Sequence, residues 1–209
     1  MALQGVVFRG SGTRITQWEK NYYPPNVRIY WQANAWVDTV ATGQITDDFL
    51  TDVADIEGGV ILGLDNLGAH LNSDIKAKLV AADVFPVFTP SQCTDVIAPV
   101  DHHIGQWMKE ATAMMYEHEL ERNLEQWENG ELTAAERRIY IANWIGTAWE
   151  VLKTMPEFIK TSFVSTGWLL AKDGSENHLA ELRKYLKAYD FPRPVRDLGA
   201  SDHSSDNSD

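Results

Sequence analysis

Residues 58–109 read GGVILGLDNLGAHLNSDIKAKLVAADVFPVFTPSQCTDVIAPVDHHIGQWMK, and this stretch decides the fold. It contains two short apolar runs, residues 60–64 and 84–88, and such runs between turn residues are typical of buried strands. The first run leads directly to Asp65, and the second is followed, after a loop, by Asp101. The residues between them are enough for a helix, a strand and a loop, which predicts both carboxylates at one edge of a sheet.

Two carboxylates at one sheet edge suit a hard divalent cation such as Mg²⁺. A mixed Asp/His site is the alternative, because His70 lies near Asp65 and because His102 and His103 directly follow Asp101. Adjacent residues on a helix do not face the same way, which favours structural roles for these histidines. The sequence therefore predicts Asp65 and Asp101 as the metal ligands.

The segments around this stretch predict two more strands and several helices. Residues 2–8 and 27–31 are rich in β-forming residues and predict strands near the N-terminus. Thr133 and Glu136 form a capping box, and Asp38 lies where a carboxylate would complement the start of a helix. Helices are predicted for residues 47–54, 72–82, from 101 onward, 133–153, 156–167 and 176–189, and loops for residues 16–26 and 89–99.

Composition narrows the class of protein. The chain has 209 residues, enough for one sizeable domain with a real core. Its formal net charge of -12 argues against a free-standing nucleic-acid binder, but an acidic metal site is compatible with it. The single cysteine, Cys93, excludes an internal disulfide framework and a cysteine-based zinc cluster. With no signal peptide and no apolar run long enough to span a membrane, we expect an intracellular protein without a membrane partner.

The order and spacing of these motifs resemble the catalytic domain of DDE endonucleases, the transposases of the pogo-like branch of the mariner-type superfamily. That branch includes centromere-protein-B and jerky-like domesticated proteins. The matching elements are Leu64-Asp65-Asn66 with His70, Phe88-Thr89-Pro90 with Thr94, Pro99-Val100-Asp101, Phe8-Arg9-Gly10 and residues 34–38. The resemblance implies an α/β, ribonuclease-H-like mixed sheet with flanking helices. It implies a partial core over residues 1–125 and a helical segment over 132–190. The composition of residues 191–209, rich in Pro, Asp and Ser, predicts a disordered acidic tail, because it cannot bury enough apolar area to offset the entropy of ordering.

The resemblance also implies a chemistry. Such enzymes hold two Mg²⁺ or Mn²⁺ ions with three acidic residues and cleave and transfer phosphodiester strands of DNA in the nucleus. Asp65 and Asp101 match the second and third acids. The first acid would precede Phe8, and no Asp or Glu stands before Glu19. We therefore expect an N-terminally truncated and catalytically incomplete endonuclease.

Three alternatives stay open at this point. Asp38 or Asp48 could replace the missing acid, although the geometry of metal ligands disfavours this. The chain could instead be a non-enzymatic domesticated fragment that binds protein or DNA, with its C-terminal helices forming a homodimer interface. An unrelated α/β phosphohydrolase with Asp65 as nucleophile is disfavoured, because the Asp-x-Asp pair of such enzymes is absent.

Overall fold

The computed structural model of this chain describes residues 3–90 and 93–181, and the acidic tail lies outside these ranges. Of the predicted helix 176–189, the described part contains only a 3₁₀ turn, and the rest lies outside the described ranges. The elements in chain order are β1 (Gln4–Arg9), α1 (Gln17–Asn21), β2 (Val27–Gln32), α2 (Thr39–Val53), β3 (Val60–Leu64), α3 (Ser73–Ala81), β4 (Val84–Phe88), α4 (Thr94–Ile97), a π-helical turn (Val100–Ile104), α5 (Gly105–Glu128), α6 (Ala134–Lys153), α7 (Pro156–Ser165) and a 3₁₀ turn (Asn177–Leu179). The predicted α/β class is confirmed.

The four strands form two parallel pairs. β1 pairs with β2 in the register Gln4 to Val27, and β3 pairs with β4 in the register Val60 to Val84. Within the described residues the two pairs do not hydrogen-bond to each other. Parallel pairs need a crossover between their strands, and here α1 and α3 lie in those crossovers. The arrangement is consistent with a ribonuclease-H-like domain.

The apolar core lies on one face of the β3–β4 pair. Leu79 and Val84 are each 1% exposed, and they form a cluster with Val53 of α2 and Ile75 of α3. Alternate residues of β3, including Leu62, point to this cluster because successive side chains of a strand alternate between faces. The core therefore fixes the β3–β4 pair against α2 and α3.

Helix α6 covers the β1–β2 pair. Asn26, just before β2, donates from Nδ2 to the carbonyl oxygen of Gly146 at 2.9 Å and to the Glu150 carboxylate at 2.8 Å. A Cβ atom at Gly146 would lie 2.8 Å from the Asn26 side chain, so glycine permits this close approach. The N-terminal and C-terminal parts of the chain are joined at this contact.

Helical segments were missed in three places. The predicted loop 16–26 contains α1, which Thr16 caps by accepting from the amide of Glu19 at 3.1 Å. The predicted loop 89–99 contains α4. Residues 39–46, where the sequence weakened the predicted helix, are helical, whereas the predicted role of Asp38 at the start of that helix is confirmed: it caps α2 and accepts from the amide of Ala41 at 2.8 Å. In the described ranges no helix is both long and apolar enough to cross a membrane.

Candidate functional site

Asp65 stands directly after β3, at the carboxyl end of the β3–β4 pair. The amide of Thr89 donates to the Leu64 carbonyl at 2.8 Å, which continues the parallel ladder by one residue. The Asn66 side chain donates to the carbonyl oxygen of Thr89. These contacts tie the ends of the two strands together, so the position of Asp65 is fixed relative to β4.

The Asp65 carboxylate is oriented by its own loop. His70 donates from Nδ1 to Asp65 Oδ1 at 2.5 Å, and the amide of Leu67 donates to the same oxygen at 3.1 Å. The Asp65 side chain is 44% exposed, whereas that of His70 is 21% exposed. Both hydrogen bonds go to Asp65 Oδ1, so they orient the carboxylate while the side chain stays partly exposed to solvent.

Asp101 lies in the π-helical turn that precedes α5. This turn closes with the amide of Gly105 donating to the carbonyl oxygen of Val100, five residues earlier. A Cβ at Gly105 would collide with that carbonyl oxygen, so a glycine is required at this close approach. His103 is hydrogen-bonded from Nε2 to the buried Ser165 hydroxyl at 2.9 Å, which anchors the turn to α7.

One cavity of about 390 Å³ brings the two predicted aspartates together. Its polar lining comprises Asp65, His70, Thr89, Thr94 and Asp101. The cavity extends along β3 to its carboxyl end, the end of parallel strands at which α/β sheets place their ligands. Asp65 and Asp101 therefore line a single concave site.

An aromatic wall of this cavity was not predicted from the sequence. Trp168 and Phe163 line it, with their rings 6.5 Å apart and nearly perpendicular. Trp168 Nε1 donates to the Ile97 carbonyl oxygen at 2.7 Å. A Cβ at Gly63 would lie 2.8 Å from the Trp168 ring, so the indole packs directly on the β3 backbone. A glycine inside a strand pattern was the one local sign of such an approach.

The other acidic and basic candidates lie elsewhere. Asp38 caps α2, and Asp48 accepts a hydrogen bond from the Tyr30 hydroxyl at 2.7 Å, so neither lines the cavity. His103 is turned toward α7. The side chain of His102 is not among those that the structure describes. Of the two weighed histidines whose side chains are described, His70 is hydrogen-bonded to Asp65 in the site and His103 to Ser165.

The donor set suits a hard cation only in part. Two carboxylates can hold Mg²⁺ when water and substrate phosphates supply the remaining oxygens. Among the side chains that the structure describes, which do not include those of Asp95 and His102, no group of three or more His, Cys, Asp or Glu is arranged to hold a metal ion. Within that described set, the cavity offers the carboxylates of Asp65 and Asp101 as ligands.

Comparisons with known proteins identify the family. Searches of curated proteins and of solved structures found no match. The model of the family described as DDE superfamily endonuclease matches residues 3–163, which include Asp65, Asp101 and the whole of both strand pairs. That match covers well over half of the chain, so the protein belongs to the DDE superfamily endonuclease family.

Proposed function

We propose that the cavity between Asp65 and Asp101 is the phosphodiester-cleaving site of a transposase-derived nuclease domain. The observation that carries this proposal is that both carboxylates line one cavity in a chain of the DDE endonuclease family. The proposed substrate is a DNA strand whose phosphate enters at the carboxyl end of β3 and β4. The pogo-like branch and a nuclear location belong to the same proposal.

The residues of the chain have distinct roles in this proposal. Asp65 and Asp101 would hold Mg²⁺ or Mn²⁺, which when bound activates the attacking oxygen and stabilises the leaving oxygen. His70 is a positioning residue, because its Nδ1–H bond to Asp65 Oδ1 orients the carboxylate. The Trp168 ring forms one side of the cavity.

We further propose that this site is catalytically incomplete in the present chain. Two carboxylates bind a divalent ion less firmly than three, and they leave the second ion of a two-ion mechanism without a dedicated ligand. The absence of a three-ligand group within the described residues supports this part of the proposal. The expected behaviour is weak ion binding with little or no strand cleavage.

Metal titration tests the site. Mn²⁺ binding to the full chain would be measured by calorimetry for the wild type and for Asp65→Asn, Asp101→Asn and the exposed control Asp55→Asn. We expect each cavity variant to weaken Mn²⁺ binding by at least about tenfold, the scale seen when a metal site loses a ligand or its support. Asp55→Asn should bind as the wild type does. Equal affinity for all four proteins contradicts the assignment.

A plasmid-nicking assay in Mg²⁺ or Mn²⁺ tests the incompleteness separately. We expect at most traces of cleavage from the wild type. Sustained turnover that Asp65→Asn abolishes would support the site but refute the incomplete ligand set. Turnover that persists in both cavity variants would refute the site itself.

A non-enzymatic binding module, including one that forms a homodimer, is the second candidate. It is favoured by the same lack of a three-ligand group in the described part of the chain. In that case Mn²⁺ would neither bind nor raise the melting temperature, and light scattering would report a dimer at micromolar concentration. A monomer that binds Mn²⁺ through Asp65 rules this candidate out.

A further inference from the structure

Helices α5 and α6 enclose an apolar groove that the proposed nuclease site does not use. We call it the α5–α6 groove, and its volume is about 480 Å³. Trp107, Met114 and Met115 of α5 face Trp144 and Val151 of α6 across it. Methionine side chains are flexible and polarizable, and they are common at surfaces that receive another apolar segment.

The apolar side of α5 is only partly covered, since Trp107, Ala111 and Met115 are half-buried. None of its 24 residues is buried, and Met114 is 69% exposed. The α5 residues in the groove recur at helical spacing from Trp107 to His118, so they form one stripe about 16 Å long. A partly exposed apolar stripe of this kind on a long helix is suited to receive a further apolar segment.

The charges beside the stripe are acidic. Helix α5 carries six glutamates against two basic residues, Lys109 and Arg122. Three of these glutamates lie on the same side of the helix as Met114. Glu110 is four residues before Met114, Glu117 is three residues after it, and Glu121 is seven residues after it. No salt bridge within the described residues involves these glutamates. The occupant of the groove should therefore be apolar on one face and basic beside it.

Two other arrangements fit less well. A second copy of the chain would bring its own acidic α5 against this one, and like charges at an interface are unfavourable. A neighbouring apolar groove, lined by Ile159 and Leu169, has Lys153 and Lys160 among its lining residues and would repel a basic segment. Charge thus selects the α5–α6 groove and a basic occupant.

A segment of this chain has the required pattern. Residues 182–191, which lie outside the described ranges, read LRKYLKAYDF. Leu182, Tyr185, Leu186 and Tyr189 are spaced i, i+3, i+4 and i+7, the pattern of one apolar helix face. Three basic residues stand among them against the single acid Asp190. Ten residues of helix would extend about 15 Å, which matches the length of the stripe on α5.

We propose that residues 182–191 bind in the α5–α6 groove of the same chain. The apolar positions cover Met114 and Met115, and the basic residues approach Glu117 and Glu121. Helix-in-groove binding of this kind relies on anchors at i, i+3, i+4 and i+7. The proposal does not depend on the nuclease assignment, because none of the groove residues lines the cavity that holds Asp65 and Asp101.

Site-directed disulfide formation in the full chain tests the proposal. In a Cys93→Ser background, Met114→Cys is combined with Leu186→Cys, and the reduced protein is exposed to a glutathione redox buffer. We expect an intramolecular disulfide, detected by mass spectrometry and non-reducing electrophoresis. It should form at least about tenfold faster than in the control pair Phe85→Cys with Leu186→Cys, because docking raises the effective concentration of the thiols.

The control pair is matched for exposure, since Phe85 is also an exposed apolar residue, 53% exposed, but it lies on the β3–β4 pair. Adding Glu117→Lys and Glu121→Lys should slow the Met114 disulfide several-fold, and circular dichroism of the reduced proteins verifies folding. Equal rates for the two pairs, a disulfide that joins two chains, or indifference to the charge reversals would each overturn the proposal.

Discussion

Glu19 is a charged side chain that the fold buries, at 2% exposure. Arg138 donates to its two carboxylate oxygens at 2.7 and 2.9 Å, and the Tyr23 hydroxyl donates to the same group. The Arg138 hydrogen bonds stabilise the carboxylate and hold the pKa of Glu19 below its ordinary value. Burial, together with the bond to Glu19, raises the pKa of Tyr23 to about 12. Glu19 of α1, Tyr23 just after α1 and Arg138 of α6 therefore form one hydrogen-bonded network, in which each side chain stabilises the charge state of the others.

The pKa of Tyr23 predicts a loss of stability at high pH. Because the folded protein keeps the Tyr23 proton up to about pH 12, stability from this group is present below pH 10 and is lost as pH rises through about 12. Tyr23→Phe should reduce the decline of the unfolding free energy between these values, measured by urea denaturation. Some decline should remain, because burial also raises the pKa of Tyr30.

The matched control for this experiment is Tyr22→Phe, since the Tyr22 side chain is exposed. Its pH profile should follow that of the wild type. The pKa of Glu19 has the opposite effect at acid pH. Because this pKa is lowered in the folded protein, Glu19 stabilises the fold above pH 4.5, its ordinary pKa, and that stabilisation is lost as the pH falls below this value. An alkaline profile of Tyr23→Phe that coincides with the wild-type profile would count against the buried network.

At the scale of elements, Trp168, which follows α7, packs directly on the backbone of strand β3, because residue 63 of the strand is a glycine. Gly63 lies on the face of β3 away from the apolar core, and the Trp168 ring covers it. The indole is held there by its bond to the Ile97 carbonyl, next to the turn that carries Asp101. One tryptophan therefore contacts both the β3 backbone and the α4 end of the cavity.

Gly63→Ala tests this contact. The new methyl group would overlap the Trp168 ring, so we expect a loss of about 1–3 kcal/mol in unfolding free energy, the usual cost of overpacking. The emission of Trp168 should also shift, and a Trp168→Phe variant identifies its share of the spectrum. The control Gly43→Ala, in α2 with open space around it, should gain up to about 1 kcal/mol. Unchanged stability and emission in Gly63→Ala would contradict the packing.

Features that are signalled by neighbouring residues could be predicted from the sequence. Contacts between residues far apart in the chain could not. The Thr133 capping box and the apolar runs of β3 and β4 act within a few residues, and each element was predicted close to its observed bounds. Helix α1 was missed although Thr16 caps it locally, because the stretch Tyr22-Tyr23-Pro24-Pro25 favoured a loop. The pairing of Glu19 with Arg138, 119 positions away in the chain, has no local sequence signal. The same reason applies to Trp168, since no nearby residue indicates that it lies on Gly63.

At the scale of the whole molecule, the β3–β4 pair is covered unevenly. One face packs on α2 and α3, whereas Ile61, Phe85 and Val87 on the other face are 71%, 53% and 43% exposed. Exposed apolar side chains on a short sheet favour association between molecules. The net charge of -12 opposes this association by repulsion, and salt screens that repulsion.

Val87→Lys should therefore improve solubility without weakening the fold. The substituted side chain faces solvent, so we expect the unfolding free energy to stay within about 0.5 kcal/mol of the wild type. The salt concentration at which light scattering rises should increase. As a comparison on the opposite face, Leu79→Ala should cost about 2–5 kcal/mol, because Leu79 is 1% exposed. Aggregation at the same salt concentration as the wild type would argue against this face as the cause.

The π-helical turn ahead of α5 sets the position of Asp101 around the helix axis. Its closing bond spans five residues, from Gly105 to Val100, where an α-helical turn spans four. The turn thus accommodates one residue more than a regular helix, and each helical residue corresponds to a rotation of about 100°. Removing one residue between Asp101 and Gly105 would therefore move Asp101 by about 100° around the axis relative to α5. The side of the helix from which Asp101 reaches the cavity thus depends on the count of residues within a single turn.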